Sequence, residues 1–390
     1  MSNNKPVCLA PFLSIYSNPV GYSPCCYISP VGHESLDDYL TSDWLNQLRE
    51  AHLKNDKARM HTRCTTCMAK SVTTFFSELG YEKNGELSQY WDRGGRDFIY
   101  FYLAPDITCG MSCGMCLVSD KRLDELSDWG IRDEIGITDK TAEHKNMPVE
   151  EVTRIYDNLK HARLVSIYGG DPTMSLSTID IIANTPADAT VRYSSNGQFT
   201  KLRNGDGLID ALSKFEQVHF TVSLDGLGEI GLRTRKGINF KNMDKLIRLA
   251  SEQANFSVEI CMTVSLYNVV EVVRLYDEIY EQYIETGLAD GLFFNPVYEP
   301  SYMAVGALPA ELKKKVIGEL AMLMVKATGE KKAILNRSYA LLIRALRAKV
   351  NPSEWHKFIK VCRREEDAAA LTPIVKLIPV YRPFFETLIC

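Results

Sequence analysis

The chain has 390 residues, of which 45% are hydrophobic, and a formal net charge of −4. That length can bury a large core and hold more than one structural unit, while the slightly acidic balance provides no general basic field for a long nucleic acid. No run of about 18 apolar residues occurs and the start shows no charged-then-apolar leader, so neither a membrane span nor export is expected.

The amino-terminal block carries Cys8, the adjacent pair Cys25 and Cys26, and then Cys64 and Cys67 in "RCTTC". A helical stretch, "SLDDYLTSDWLNQLREAHL", separates the pair from the last two. Eleven cysteines in this composition read as metal binding in a reducing cytosol rather than as a disulfide framework. Four of these sulfurs would bind zinc tetrahedrally or complete an iron–sulfur cluster, and spacing alone does not separate the two. His61 reads as a surface histidine.

A second cysteine set follows at "TCGMSCGMC", with Cys109, Cys113 and Cys116 inside eight residues. Structural zinc wants a fourth ligand, and none stands nearby in sequence. Three thiolates with an open position suit an iron–sulfur cluster in which one iron binds something else. The intervening glycines allow a tight backbone and expose amide N–H groups.

From about residue 97 strand-like and helix-like runs alternate. The strands are expected at "FIYFYLAP", "RLVSIYGG", "ATVRYSSN", "VHFTVSLD", "FSVEICMTVSL" and "GLFFNPVY", and their apolar character suits a parallel sheet covered by helices. Six such alternations predict an α/β fold with a barrel-like or doubly wound parallel sheet, and a partial (β/α)6 parallel barrel is the form expected here. Polar or glycine-rich motifs end four successive strands: the triad, "GGDP", "SSNG" and "SLDG". In parallel α/β barrels chemistry gathers at those ends. Beyond residue 300 amphipathic helices are expected to close the open side of the barrel, and Cys261, Cys362 and Cys390 carry no site pattern. The acidic segment after the triad, "DKRLDELSDWGIRDEIGITDK", receives no role.

These residues resemble the radical S-adenosylmethionine (SAM) superfamily, whose signature is a cysteine triad spaced as Cys109, Cys113 and Cys116. The resemblance implies that these thiolates hold a 4Fe–4S cluster whose fourth iron chelates SAM, and that one-electron cleavage yields a 5′-deoxyadenosyl radical. It places Gly169, Gly170, Asp171 and Pro172 beside the SAM amino group, with Asp171 standing where the family usually has glutamate. Ser194, Ser195 and Asn196 fall at positions that often meet the ribose or carboxylate. Ser223 and Asp225 fall where related enzymes face cofactor or substrate. Arg235, in "RTRKGINF", is the candidate for the SAM carboxylate, with Arg233 second. Met115 replaces the aromatic residue that often packs on adenine.

The amino-terminal block looks like the SPASM or twitch auxiliary-cluster module, here placed before the barrel. By that resemblance Cys8, Cys26, Cys64 and Cys67 hold a second, auxiliary 4Fe–4S cluster, with Cys25 an alternative to Cys26. The segmentation expected is 1–92 for this module, 93–300 for the barrel and 301–390 for the helical region. Auxiliary-cluster relatives often modify peptides or proteins, so a peptide or small-molecule substrate and a reductant such as flavodoxin or ferredoxin are the expected partners, in the cytoplasm. Radical modification of a nucleoside or carbohydrate is the alternative within the class. A non-catalytic metal-binding adaptor is the alternative outside it.

Overall fold

The computed structural model describes residues 8–25, 28–32, 35–69, 98–117, 119–137, 147–369 and 371–386, the side chains of 66–69, 120 and 369 apart. The strands are β1 (Ser14–Asn18), β2 (Gly21–Ser23), β3 (Tyr100–Leu103), β4 (Ser112–Cys113), β5 (Leu164–Ile167), β6 (Thr190–Ser195), β7 (Gln217–Ser223), β8 (Arg235–Lys236), β9 (Phe256–Val264) and β10 (Gly291–Pro296). All but β4 and β8 belong to an eight-stranded, mostly parallel sheet of order β10-β9-β7-β6-β5-β3-β1-β2. The other two pair with each other as a separate antiparallel ribbon. All six strands expected from the apolar runs are present, and β10 and β2 end the sheet without pairing to each other, as a partial barrel requires.

The chain divides into two compact units. The first comprises residues 1–108, 145–193 and 201–218, and the second residues 109–144, 194–200 and 219–390. In the first, β1 pairs in parallel with β3, Tyr16 opposite Tyr102, and β3 pairs in parallel with β5. The hairpin β1–β2 therefore adds to the sheet. Ala10, Phe12, Leu13, Ile99, Tyr100 and Leu164 form an apolar cluster there, and Cys8, Leu9, Cys25 and Leu53 pack against it. The Asp43–Lys54 helix begins at the Ser42 cap, whose hydroxyl accepts from Leu45 N, and ends at Asn55 in the left-handed region (φ 52°).

In the second unit β9 pairs in parallel with β10, and the Gly329–Leu346 helix packs on β10. The Gly329–Leu346 helix reaches β10 through Ser338, whose hydroxyl accepts from Phe294 N at 2.8 Å. Tyr381 O–H donates to Leu266 O at 2.7 Å, just beyond β9.

The strands are not uniformly apolar. β5 is buried on both faces, but β6 and β7 alternate between buried Val191, Tyr193, Val218, Phe220 and Val222 and half-buried Arg192, Ser194, Thr221 and Ser223. One face is buried while the other carries half-buried, mostly polar side chains.

Candidate active site

The cysteine turn is fixed by backbone pairing before any cofactor is considered. β4 lies antiparallel to β8 with Cys113 opposite Arg235 and Ser112 opposite Lys236. Gly114 N donates to Thr234 O at 3.1 Å and Cys116 N to Cys113 O at 3.0 Å, so the triad closes as a turn on the ribbon. Ser119 Oγ donates to Met111 O at 2.9 Å and Lys121 Nζ to Gly110 O at 2.9 Å, tying the helix that follows back to the turn.

All three triad cysteines are half-buried. Met111 N stands 3.5 Å from Cys109 Sγ and Asn196 Nδ2 stands 3.6 Å from it, both as donors. Burial pushes the Cys113 thiol up to about 12, against the pull of the Arg235 guanidinium. A thiolate there is costly without a cationic partner, and iron is such a partner. Among the described residues no three His, Cys, Asp or Glu side chains converge as a single-ion site. A cubane does not ask for that convergence, because each of its thiolates binds a different iron. The donor chemistry of the turn, with N–H groups directed at one sulfur, therefore fits a cluster.

The "GGDP" turn sits against the backbone that leads into Cys109. Gly170 N donates to Asp106 O at 3.2 Å and Asp171 N to Thr108 O at 2.7 Å. A side chain at Gly170 would bring its Cβ to 2.3 Å from both Ile107 O and Thr108 O, and Gly169 holds φ +143° with its Cβ position 2.5 Å from Asp106 O. Both glycines are required for close approach. Asp171 is fully buried, and its carboxylate caps the Pro172–Met174 turn by accepting from Thr173 N at 2.9 Å. Pro172 is buried beside it.

At the end of β6, Ser195 Oγ accepts from Gly197 N at 3.0 Å and Asn196 Oδ1 from Gln198 N at 3.0 Å. Gln198 in turn accepts from Asn239 N at 2.6 Å, which fixes the start of the Phe240–Ser251 helix. Gln198 is thus part of the framework of this loop. At the end of β7, Ser223 is half-buried, whereas Asp225 is fully buried with its carboxylate 2.7 Å from Arg235 Nε. Asp225 also accepts from Thr263 N at 2.8 Å. Burial opposes the Arg235 charge, but the Asp225 carboxylate and then the Cys113 thiol hold its proton more tightly than an ordinary guanidinium. Arg233 points elsewhere: it donates to Thr372 O at 2.8 Å and pairs with Glu366 at 3.1 Å and Glu365 at 3.4 Å. Met115 is half-buried in the turn.

Sequence reading passed over Arg122, Glu365 and Tyr267. Arg122, six residues beyond the triad, is fully buried, pairs with Glu365 at 2.8 Å and lies 5.1 Å from the Trp129 ring centroid. A buried arginine on an amphipathic helix leaves no mark in a hydrophobic pattern, so no signal pointed to it.

In the amino-terminal block Cys8 and Cys25 are half-buried, and Cys64 lies on the Thr62–Ala69 helix. Cys26 and the side chain of Cys67 lie outside the described residues.

Residues 107–279 match the family model of the Radical SAM superfamily. Among curated proteins none matches the chain in sequence. Solved structures similar to it include Streptococcus suis SuiB bound to precursor peptide SuiA, at 15% identity and TM-score 0.39, covering 60% of this chain and 49% of that one. SuiB bound to S-adenosylmethionine matches at 16% identity and TM-score 0.38, covering 65% and 60%. A histidine-tagged anSMEcpe with bound AdoMet matches at 15% identity and TM-score 0.35, covering 70% and 67%. The chain thus spans between about half and three-fifths of the length of the SuiB structures. No helix of the described residues is long and apolar enough to cross a membrane. The span that matches the family model holds the triad and every residue expected to meet SAM.

Proposed function

We propose that this chain is a radical SAM enzyme that removes a hydrogen atom from a peptide or protein substrate. The observation that carries the reading is the Cys109–Cys116 turn, pinned to β8 inside the Radical SAM span, with two N–H donors on Cys109 Sγ. Cys109, Cys113 and Cys116 hold the cluster. When bound, the cluster and SAM supply a one-electron carbon–sulfur cleavage that gives methionine and a 5′-deoxyadenosyl radical.

The chain's own part is binding, orientation and exclusion of water. Gly169, Gly170, Asp171 and Pro172 bring backbone up to the SAM amino group, and Met115 packs against adenine. Ser195 and Asn196 face the ribose, with Ser194 beside them, and Ser223 faces the cofactor or substrate. The SAM carboxylate meets Arg235 in competition with Asp225, whose ion pair already orients the guanidinium.

Cys8, Cys64, Cys67 and one of the pair Cys25/Cys26, taken as Cys26, hold the auxiliary 4Fe–4S cluster. The peptide substrate follows from the resemblance of this block to auxiliary-cluster modules. A cytoplasmic flavodoxin or ferredoxin would deliver the electron.

The test is anaerobic. The chain is reconstituted, iron and sulfide are counted, and dithionite and SAM are added. About eight irons per chain, two clusters' worth, together with 5′-deoxyadenosine, support the reading. Zinc in place of iron, or iron with no product, supports the adaptor instead. Cys113→Ala should abolish the product and retain the amino-terminal cluster.

A further inference from the structure

We infer that Tyr267 is a positioning residue for the cysteine turn, with its ring set under Gly114 and its hydroxyl anchored to Glu365 of the Ser353–Ala369 helix. The inference rests on the cluster reading of the triad and adds a residue from outside the triad's own strand and turn.

Gly114 occupies the middle of the triad and is buried. A Cβ built on it would stand 2.2 Å from Tyr267 Cε2 and 3.1 Å from its hydroxyl oxygen. Glycine is needed at this position for close approach to an aromatic ring. The tyrosine is itself fully buried and cannot give way. Its O–H donates to Glu365 Oε2 at 2.7 Å, and Glu365 is held in ion pairs by Arg122 at 2.8 Å and Arg233 at 3.4 Å. Phe358 packs against the ring at 5.5 Å between centroids, and the Arg233 guanidinium lies 5.7 Å from the ring centroid.

The base of the tyrosine is fixed as well. Ser265 Oγ accepts from Tyr267 N at 3.3 Å, and Asn268 Nδ2 donates at 2.8 Å to both Asp225 O and Thr263 O. The two arginines that grip Glu365 flank the site in sequence. Arg122 stands on the helix just after the triad, and Arg233 lies two residues before the β8 partner of Cys113. Arg122 and Arg233 are balanced by Glu365 and Glu366, so the network is neutral within itself. In a close-packed interior a ring held from four sides is a stop, and the turn above it cannot sink. The sulfurs of Cys113 and Cys116, on either side of Gly114, are thereby set in height. The carboxyl-terminal helix is through this contact a working part of the site.

The test is a double-mutant cycle on Gly114→Ala and Tyr267→Ala, with Tyr267→Phe as the conservative variant. Three quantities are read: the thermal midpoint of the metal-free chain, the triad-bound iron after reconstitution, taken as the excess over Cys113→Ala, and the line shape of the reduced cluster. Gly114→Ala should cut triad-bound iron about tenfold, as overpacking of a tight site does. The double variant should lose no more than Tyr267→Ala alone, because the added methyl group meets no ring once the ring is removed. Tyr267→Phe should keep its iron and line shape with a lowered thermal midpoint, and Tyr267→Ala should lose both. Strictly additive effects, or Tyr267→Ala with wild-type iron and line shape, would overturn the inference. Should Tyr267→Ala fail to fold, Tyr267→Leu takes its place in the cycle. A wild-type chain that takes up no triad iron would instead sink the cluster reading, and the midpoints of the metal-free variants would still decide the contact.

Discussion

The Arg235 guanidinium stands 2.7 Å from the Asp225 carboxylate, and the same Arg235 is the strand partner of Cys113 in the β4–β8 ribbon. A buried ion pair is thus built into the ribbon that carries the central cysteine of the triad. The pair joins the end of β7 to the ribbon, and Asn268 extends the connection to the loop after β9 through the Asp225 carbonyl. Two strand ends and the cysteine turn are in this way set by a few directional contacts.

Removing one partner of that pair leaves the other charge buried alone. Arg235→Met should destabilise the chain by about 3–5 kcal/mol, and Asp225→Leu by a similar amount. The double variant should be less damaged than either single, because no uncompensated charge remains. Urea unfolding midpoints of the four proteins check this. Singles that differ little from wild type would mean that the pair is solvated and structurally idle.

Gly170→Ala pushes a methyl group into two carbonyl oxygens, Ile107 O and Thr108 O, at 2.3 Å. Those oxygens belong to the backbone leading into Cys109, so that backbone must move. A cost of about 2 kcal/mol or more is expected, with a matching loss of triad-bound iron. Gly318→Ala, in the Ala310–Lys326 helix with nothing within 4 Å of its Cβ position, should gain about 0.5–1 kcal/mol. Thermal melts of the two variants side by side give the comparison.

The sequence made the sheet legible because each strand is a short apolar run closed by a glycine or polar signal, and all six runs became strands. The triad stands out from its spacing alone. The brace beneath it was not. Gly114 and Tyr267 are 153 positions apart, and "SLYN" reads as an ordinary loop. Glu365 lies in "RREED", a run that any solvated helix face could carry, yet its side chain is about 1% exposed. Arg235 was readable as a cation beside the family-like motif, but its commitment to Asp225 is a tertiary fact. Local pattern reports periodicity and turn chemistry, and it does not report which charge a buried charge has found.

His52, on the Asp43–Lys54 helix, is 1% exposed, and neither ring nitrogen has a hydrogen-bond partner among the described residues. Burial lowers its pKa below the ordinary 6.5. The unfolded chain therefore takes up a proton near pH 6.5 that the folded chain refuses until lower pH. Stability is full above about pH 6.5 and falls below it by up to ~1.4 kcal/mol per pH unit until the folded imidazole titrates. His52→Leu should flatten that slope and be more stable than wild type at pH 5. Unfolding midpoints at pH 5 and pH 7.5 for both proteins measure it. An unchanged slope in the variant would assign the acid sensitivity to other groups.

Asn196 donates from Nδ2 to Cys109 Sγ at 3.6 Å, a contact to the first cysteine of the triad. Hydrogen bonds to cluster sulfurs favour the reduced, more negative state and so raise the reduction potential. Asn196→Ala, which removes the donor, should lower the potential of the reconstituted triad cluster by an amount on the order of 59 mV or less, the tenfold step of a one-electron couple. Asn196→Asp replaces the donor with a carboxylate beside the sulfur and should lower it further. The same carboxamide is proposed to face the SAM ribose, so KM for SAM is read in parallel. A potential that moves in the order wild type, alanine, aspartate before SAM is added assigns the amide to the cluster. A potential that stays fixed while KM rises assigns it to SAM alone.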